Sequence, residues 1–441
     1  MKPARLLLTF VGLCLFAIQP VRALAGASAQ NESRLALVLT IDGPITPATQ
    51  EYLSRGIKVA GQRAAELLIV QLNTPGGGLD AMNQMVQDIL ASHVPVVIYV
   101  SPRGAWAGSA GTVITLAGHA AAMAPETAIG AASPVGSQGE DLPTTEQTKV
   151  TEIMKATVRS LAQRRGAEAV QLAEDTIEKA RAVSASEALQ VGLVDFIAAD
   201  LPDLLKQLDG FSVETIDGPR ALHTAGATVD FLPMTFIEQL LLMLTDPNVV
   251  FLLLSIGVQA IFIELSSPGG WVAGFIGAVC LALAIYGLGV LPVNWFGLIF
   301  LVIAFVLFIV DIKAPTHGTL TTAGIGSFIV GALVLFNSPG TPQFQRVSLP
   351  LVILVGILTG ILFAIIIGFA LRAQKRPVIT GQEGLRGQTG IARTDIDPTG
   401  QVQAGSELWS AELAEGQGRI RKGKKVEIVK VDGLRLKVRK L

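Results

Sequence analysis

The sequence predicts an α/β domain built on a largely parallel sheet, then about five membrane-spanning helices, then a small all-β barrel. Three observations carry this. Strand-like and helix-like stretches alternate over residues 35–196, long apolar runs fill residues 249–371, and beyond Val378 the chain turns polar with short β-rich segments. Half of the 441 residues are hydrophobic and 16% are charged, below the roughly 25% charge of globular domains, so part of the chain belongs in lipid.

The N-terminus has Lys2 and Arg5, an apolar run over residues 6–18, then Ala23-Leu24-Ala25. That charged, apolar, small-residue order is a cleavable signal peptide over residues 1–25; an uncleaved anchor is the alternative, but the run is short for a span. Next come the apolar strand LALVLTI, a helical pattern through Ala64, the strand LLIVQL, a helix over residues 79–90 and the strand VPVVIYV. Strands joined by helices need crossover connections, which make a parallel sheet covered by helices. Two further helices are expected over residues 145–164 and 168–181, closing a domain of residues 30–210. Residues 211–235 are turn-rich and weakly patterned and read as a linker.

Within residues 236–371, apolar runs at 249–265, 271–291, 296–312, 318–336 and 349–371 each approach the ~20 residues a bilayer core requires. The first is the weakest, because Gln259 interrupts it; residues 236–244 either lie in the interface or lengthen it. Five spans place Lys313, Arg372, Lys375 and Arg376 on the cytoplasmic side when the preceding domain is exported, in agreement with the positive-inside rule; four or six would leave the last cluster outside. The expected location is thus the bacterial inner membrane, with the α/β domain periplasmic and residues 378–441 cytoplasmic. In that tail, short strands split by Gly and Pro suggest the barrel. Its basic finish, residues 419–425 and 435–440, is either the wet face of a strand or a contact with anionic lipid.

Composition removes several function classes. A formal net charge of −1 gives no nucleic-acid footprint. The two cysteines, Cys14 and Cys280, lie in apolar runs, and His93, His119, His223 and His317 show no HExxH-like spacing, so neither a metal site nor any cofactor is expected. Hydroxyl, amine and carboxylate chemistry remain.

Two strings can carry it. Asn73-Thr74-Pro75-Gly76-Gly77-Gly78 follows a strand and precedes a helix, where glycines let the backbone turn sharply and present bare N–H groups to an oxyanion. Gly104 to Thr112, GAWAGSAGT, follows VPVVIYV and sets Ser109 among small residues ahead of a helix, with the Ala110 N–H beside it. Taken singly, each string is also what an ordinary tight turn or a close helix packing requires. A serine nucleophile needs a base. His119, beyond a helix from Ser109, and His93, at the opposite end of the sheet, are the weaker candidates; the alternative is a lysine held neutral by burial. Lys149 and Lys155 flank opposite sides of one apolar helix face, and periodicity does not choose between them.

Read together, PGGG, GAWAGSAGT, MAPETAIGAASP, KVT followed by SLAQ, SASEALQVGLVD and the tail strings GQTGIARTDIDPTGQV, ELWSA and KVEIVKVDGLRL resemble the long form of the NfeD family. These are membrane-bound serine proteases related to Clp protease and signal peptide peptidase A. The resemblance implies a Clp-protease/crotonase-like β-α-β superhelical domain and an OB-like C-terminal barrel. It implies Ser109 as nucleophile, Lys149 rather than Lys155 as base, and backbone N–H groups of Gly76 or Gly77 and of Ala110 as oxyanion donors. It also implies stomatin-like (SPFH/band-7) membrane proteins as partners or substrates, a preference for hydrophobic segments, and self-association. Trp106 stands where the family more usually has a small residue. Asp175 and Asp195 have no His partner at Clp-like spacing and read as structural. The competing class is a catalytically silent scaffold that organises stomatin-like proteins in the bilayer.

Overall fold

The computed structural model describes residues 34–136, 143–266, 270–314, 316, 318–337, 346–374, 382–416 and 418–441. The expected signal peptide, and Lys375 and Arg376 of the basic cluster, lie outside them. In chain order the first domain comprises β1 (Leu35–Asp42), α1 (Pro47–Gln62), β2 (Leu67–Asn73), α2 (Leu79–Leu90), β3 (Val96–Val100), β4 (Trp106–Gly108), α3 (Ala110–Ala117), β5 (Ala120–Met123) and β6 (Ala128–Gly130). It continues with α4 (Thr144–Ala162), α5 (Ala167–Glu178), β7 (Ala182–Ser184), α6 (Ala185–Gln190), β8 (Phe196–Ile197), α7 (Leu201–Leu208), β9 (Ser212–Thr215), β10 (Gly218–Ala221) and β11 (Thr228–Phe231).

The main sheet has the order β11-β1-β2-β3-β5-β8, and every pair in it is parallel. Its central strands β2, β3 and β5 are buried on both faces, which is why they read as continuous apolar runs. Successive side chains of β1 divide between two cores: Leu37, Leu39 and Ile41 pack with Tyr52, Leu53, Met82 and Met85, while Ala36 and Val38 pack with Leu204, Leu205 and Leu208 of α7. Thr46 caps α1 through a reciprocal bond with Thr49, and Pro47 enters the first turn, where its missing N–H costs nothing.

Residues 211–235 are not a linker. Phe211 and Leu222 join the second core, β9 and β10 pair antiparallel, and β11 adds a parallel strand to the edge of the main sheet through the bonds Thr228 N–H to Arg34 C=O (2.7 Å) and Leu232 N–H to Val38 C=O (2.9 Å). The β11 side chains are mostly exposed, so no hydrophobic alternation marks it; main-chain bonds place it, with Val229 against the second core and Asp230 paired with Arg63 at 2.5 Å.

Residues 236–244 neither lengthen the first span nor stand apart from the domain. They form a separate helix, α8 (Phe236–Met243), capped by Thr235 and Glu238. Glu238 is buried and receives both arms of the Arg55 guanidinium of α1 at 2.7 Å, and Arg55 also donates to the Pro233 carbonyl at 2.8 Å. The Arg55 hydrogen bond and the capping bonds from Thr235 outweigh burial and hold the Glu238 carboxyl below its ordinary pKa.

The apolar helices are α9 (Pro247–Ser266), α10 (Val272–Val290), α11 (Trp295–Lys313), α12 (Thr319–Phe336) and α13 (Leu349–Gln374). Among the described residues four of them are long and apolar enough to cross a membrane, and the fifth, α11, contributes a shorter apolar stretch, Trp295–Asp311. Small residues let neighbours approach: a Cβ on Gly277 would lie 2.9 Å from the Ile261 nitrogen, and one on Gly297 would lie 2.2 Å from that of Leu335. The tail closes into a five-stranded barrel of β12 (Thr389–Ala392), β13 (Thr399–Ala404), β14 (Glu407–Leu413), β15 (Lys425–Asp432) and β16 (Arg435–Lys440). Its order β12-β13-β14-β16-β15, with β14 and β16 parallel, is that of an OB-like barrel around Val402, Val426, Ile428 and Leu436.

Candidate active site

Ser109 stands at the junction of β4 and α3 with φ 51° and ψ −116°, a conformation that costs a non-glycine residue about 1–3 kcal/mol and persists only where the surroundings impose it. The surroundings are explicit. The Ser109 N–H donates to the Gly130 carbonyl at 3.0 Å. Fully buried Thr112 donates to the carbonyls of Ala107 (2.8 Å) and Gly130 (3.0 Å) and accepts from the Gly130 N–H (3.0 Å), which ties β4 and β6 to the first turn of α3. The strand that delivers the serine is β4, not β3 as the sequence suggested; residues 101–105 turn the chain between them. β4 is only three residues long and is held by β6 and by Thr74, partners that no local pattern reveals.

The glycine-rich turn packs directly on this elbow. Gly76, at φ +115°, sits so close that a Cβ there would be 2.5 Å from the Ser109 Cβ and 3.1 Å from its Oγ. A Cβ on Gly111 would meet the Thr74 methyl at 2.5 Å. Thr74, itself fully buried, accepts the Gly76 N–H at 3.0 Å, and the Gly78 N–H goes to the Ile45 carbonyl at 2.9 Å. Among the described residues the N–H groups of Gly77 and of Ala110 have no partner, and Gly77 is exposed. The Ser109 hydroxyl makes no capping bond to its own helix and is half-buried, so it is open to a base and to a substrate. Thr74 and Thr112 thus position the site; both lie inside the strings singled out from the sequence, where a buried hydroxyl cannot be told from an ordinary turn residue.

The lysines separate cleanly. Lys155 pairs with Glu178 at 3.0 Å and Glu152 at 3.6 Å, and the Glu178 hydrogen bond raises its pKa, which disqualifies it as a neutral base. Lys149 lies on the first turns of α4, is exposed, and makes no ion pair among the described residues. The burial expected of a lysine base is therefore not present in the single chain. Beside it, Val150, Ile153 and Met154 form an apolar groove of about 240 Å³ with Leu79 and Met82 of α2 and Val113 of α3.

His119 and His93 both lie apart from this elbow. His119 is buried at the far end of α3, whose eight residues span about 12 Å; its Nδ1 accepts the Val96 N–H at 3.0 Å, and its carbonyl accepts Arg164 at 2.9 Å. Burial first, and the Arg164 charge second, lower its pKa to about 4 from 6.5. Between those values the unfolded chain takes up a proton that the folded chain refuses. Stability therefore falls as pH drops from 6.5 toward 4, by up to about 3 kcal/mol from this group, and is restored above 6.5. Thermal melts of the full chain at pH 7 and pH 4.5 should show a smaller acid loss in His119→Asn than in wild type; equal losses would remove His119 from the account. His93 pairs with Asp217 in solvent. Asp175 binds Lys179 and Arg181, and Asp195 binds buried Arg165 at 2.8 Å and the Ala121 N–H at 2.8 Å, so both acids have structural partners.

Residues 36–216 match the NfeD1b N-terminal domain, residues 248–369 the NfeD integral membrane domain and residues 382–440 the NfeD-like C-terminal, partner-binding domain. Over 440 residues the chain is 36% identical to the membrane-bound protease PH1510 of Pyrococcus horikoshii, covering 98% of this chain and 97% of that one. This chain belongs to the NfeD family. It is 28% identical over 438 residues to membrane protein NfeD1b of Bacillus subtilis, covering 94% of each. A solved structure of the 1510-N membrane protease specific for a stomatin homolog, from P. horikoshii, is 35% identical, covers 48% of this chain and 99% of its own, and has a TM-score of 0.41. The α/β domain of this NfeD protein is the part matched by the NfeD1b N-terminal domain, and the protein is a membrane-bound serine protease.

Proposed function

We propose that this NfeD protein is an endopeptidase that cuts apolar segments of membrane-associated proteins, stomatin-like proteins among them, with Ser109 as nucleophile and Lys149 as general base. The observation that carries the reading is Ser109 itself, held at positive φ with its hydroxyl uncapped and the glycine turn packed against it. Lys149 takes the hydroxyl proton, and Ser109 Oγ attacks the peptide carbonyl. The two unpaired N–H groups, of Gly77 and Ala110, receive the oxyanion, since the Gly76 N–H is already spent on Thr74. Lys149 then protonates the leaving amine, and water repeats the cycle on the acyl-enzyme. An apolar peptide laid along the groove beside Val150 supplies the cover that Lys149 lacks in the single chain. The stomatin-like substrate is supported by the stomatin-homolog specificity of the related 1510-N protease. The C-terminal barrel is the partner-binding part. The α/β domain faces the periplasm, and self-association is in keeping with its Clp-like fold.

The test is cleavage of a hydrophobic peptide from the C-terminal region of a stomatin-like protein by the full chain in detergent, with Lys149→Ala set against Lys155→Ala. Loss in the first and retention in the second establishes the base. Equal activity in all three sinks the dyad, and a folded wild type that cleaves nothing moves the scaffold reading ahead.

A further inference from the structure

A second cleft, of about 600 Å³, opens beside the Pro75–Gly76 turn, the turn whose glycine touches Ser109. One wall is Trp106, three residues before the nucleophile on the strand that delivers it, together with Pro44 and Pro75. The backbone of Trp106 is fixed, its N–H donating to Asn73 Oδ1 at 3.2 Å and its carbonyl accepting the Thr74 N–H at 2.8 Å. Its indole is nevertheless 56% exposed, which leaves a large apolar surface that none of the described residues covers. The facing wall is Leu242 and Met243, the last turn of α8 before the chain enters the first membrane helix. The Arg55–Glu238 pair ties α8 to α1 of the same domain.

From this placement we propose that the cleft is a substrate subsite for a large apolar side chain of the segment being cut, with Trp106 and Met243 as specificity-determining residues. It rests on the proteolytic reading above. The occupant is substrate because the cleft runs from Trp106 and the Pro75 turn, whose neighbouring Gly76 touches Ser109, to α8, the last helix before the first membrane helix, which is a path for a segment drawn from lipid into the site. α8 also points Phe236 and Ile237, 78% and 67% exposed, away from the domain, as an interfacial helix does. The volume fits a bulky side chain with part of its backbone. Asp42 and Asp246 on the rim have no cationic partner among the described residues, so an acidic side chain is rejected there.

The experiment uses the full chain in nanodiscs and a series of quenched fluorescent peptides in which each of the positions flanking the scissile bond is alanine, leucine, tryptophan or aspartate. Wild type is expected to favour leucine or tryptophan over alanine at one position by roughly ten- to hundred-fold in kcat/KM. In Trp106→Ala, and separately in Met243→Ala, that ratio should fall toward one through KM, while Trp106→Phe keeps most of it. Met243 lies on a different element from the elbow, so its variant reports on the subsite even if Trp106→Ala disturbs β4. Ratios that stay at the wild-type value in both alanine variants, including a uniform loss on every peptide, overturn the subsite while leaving the protease in place. A folded wild type that cleaves no peptide in the series overturns the proteolytic reading and the subsite together.

Discussion

Replacing Ser109 with alanine is expected to lower kcat for an apolar peptide by roughly 10⁴-fold or more. The substitution removes the hydroxyl and little else: the N–H bond to Gly130 and the Thr112 lock are main-chain and neighbour contacts that an alanine keeps. Relief of a non-glycine positive φ is not available to alanine either, so the elbow should stay in place. Lys149→Ala should cost nearly as much, and the double variant little more than either alone, because the pair acts as one unit in a single proton transfer. Rates from the purified full chain in detergent, with melting temperature as the control for folding, check this. A Ser109→Ala protein that retains wild-type turnover would show that the chemistry lies elsewhere.

Gly76→Ala should be the second severe change, with kcat/KM down by about 100-fold. A methyl group at Gly76 would lie 2.5 Å from the Ser109 Cβ and 3.3 Å from the Gly108 carbonyl, and φ +115° is a conformation alanine resists. The atoms it meets are backbone and the nucleophile's own first carbon, so relief comes only by moving the elbow. Gly78→Ala is the matched control: its φ is −65° and the nearest atom to an added Cβ is the Ile45 carbonyl oxygen at 3.9 Å. Activity and melting temperature of the two variants should separate them, and similar behaviour would show that tight packing on Ser109 is not what Gly76 provides.

The parallel sheet was legible because its central strands are buried on both faces and so are apolar, and the helices were legible because α1 and α2 keep one apolar face. The spans were legible by length and composition, but their ranking was not: the run read as weakest, 249–265, is long and apolar enough to cross a membrane, whereas α11 contributes the shorter stretch Trp295–Asp311. β11 escaped because it is four residues long and mostly exposed, so no apolar pattern marks it. β4 escaped for a related reason, since three residues are too few to show a period and its partners, β6 and Thr74, come from other parts of the chain.

The sequence alone carried the alternation of strands and helices from β1 to β3, the lipid-embedded region and the two small-residue strings around Ser109 and Gly76, all of which follow from local periodicity, length and side-chain size. Only the tertiary structure decided that the Gly76 N–H is taken by Thr74 while those of Gly77 and Ala110 stay unpaired, that Lys155 is neutralised by Glu178 while Lys149 stays exposed, and that Trp106 faces α8 across a cleft. The physical reason is common to all three. Whether a donor, a charge or a ring is satisfied depends on groups that folding brings from distant positions, and no local pattern records them.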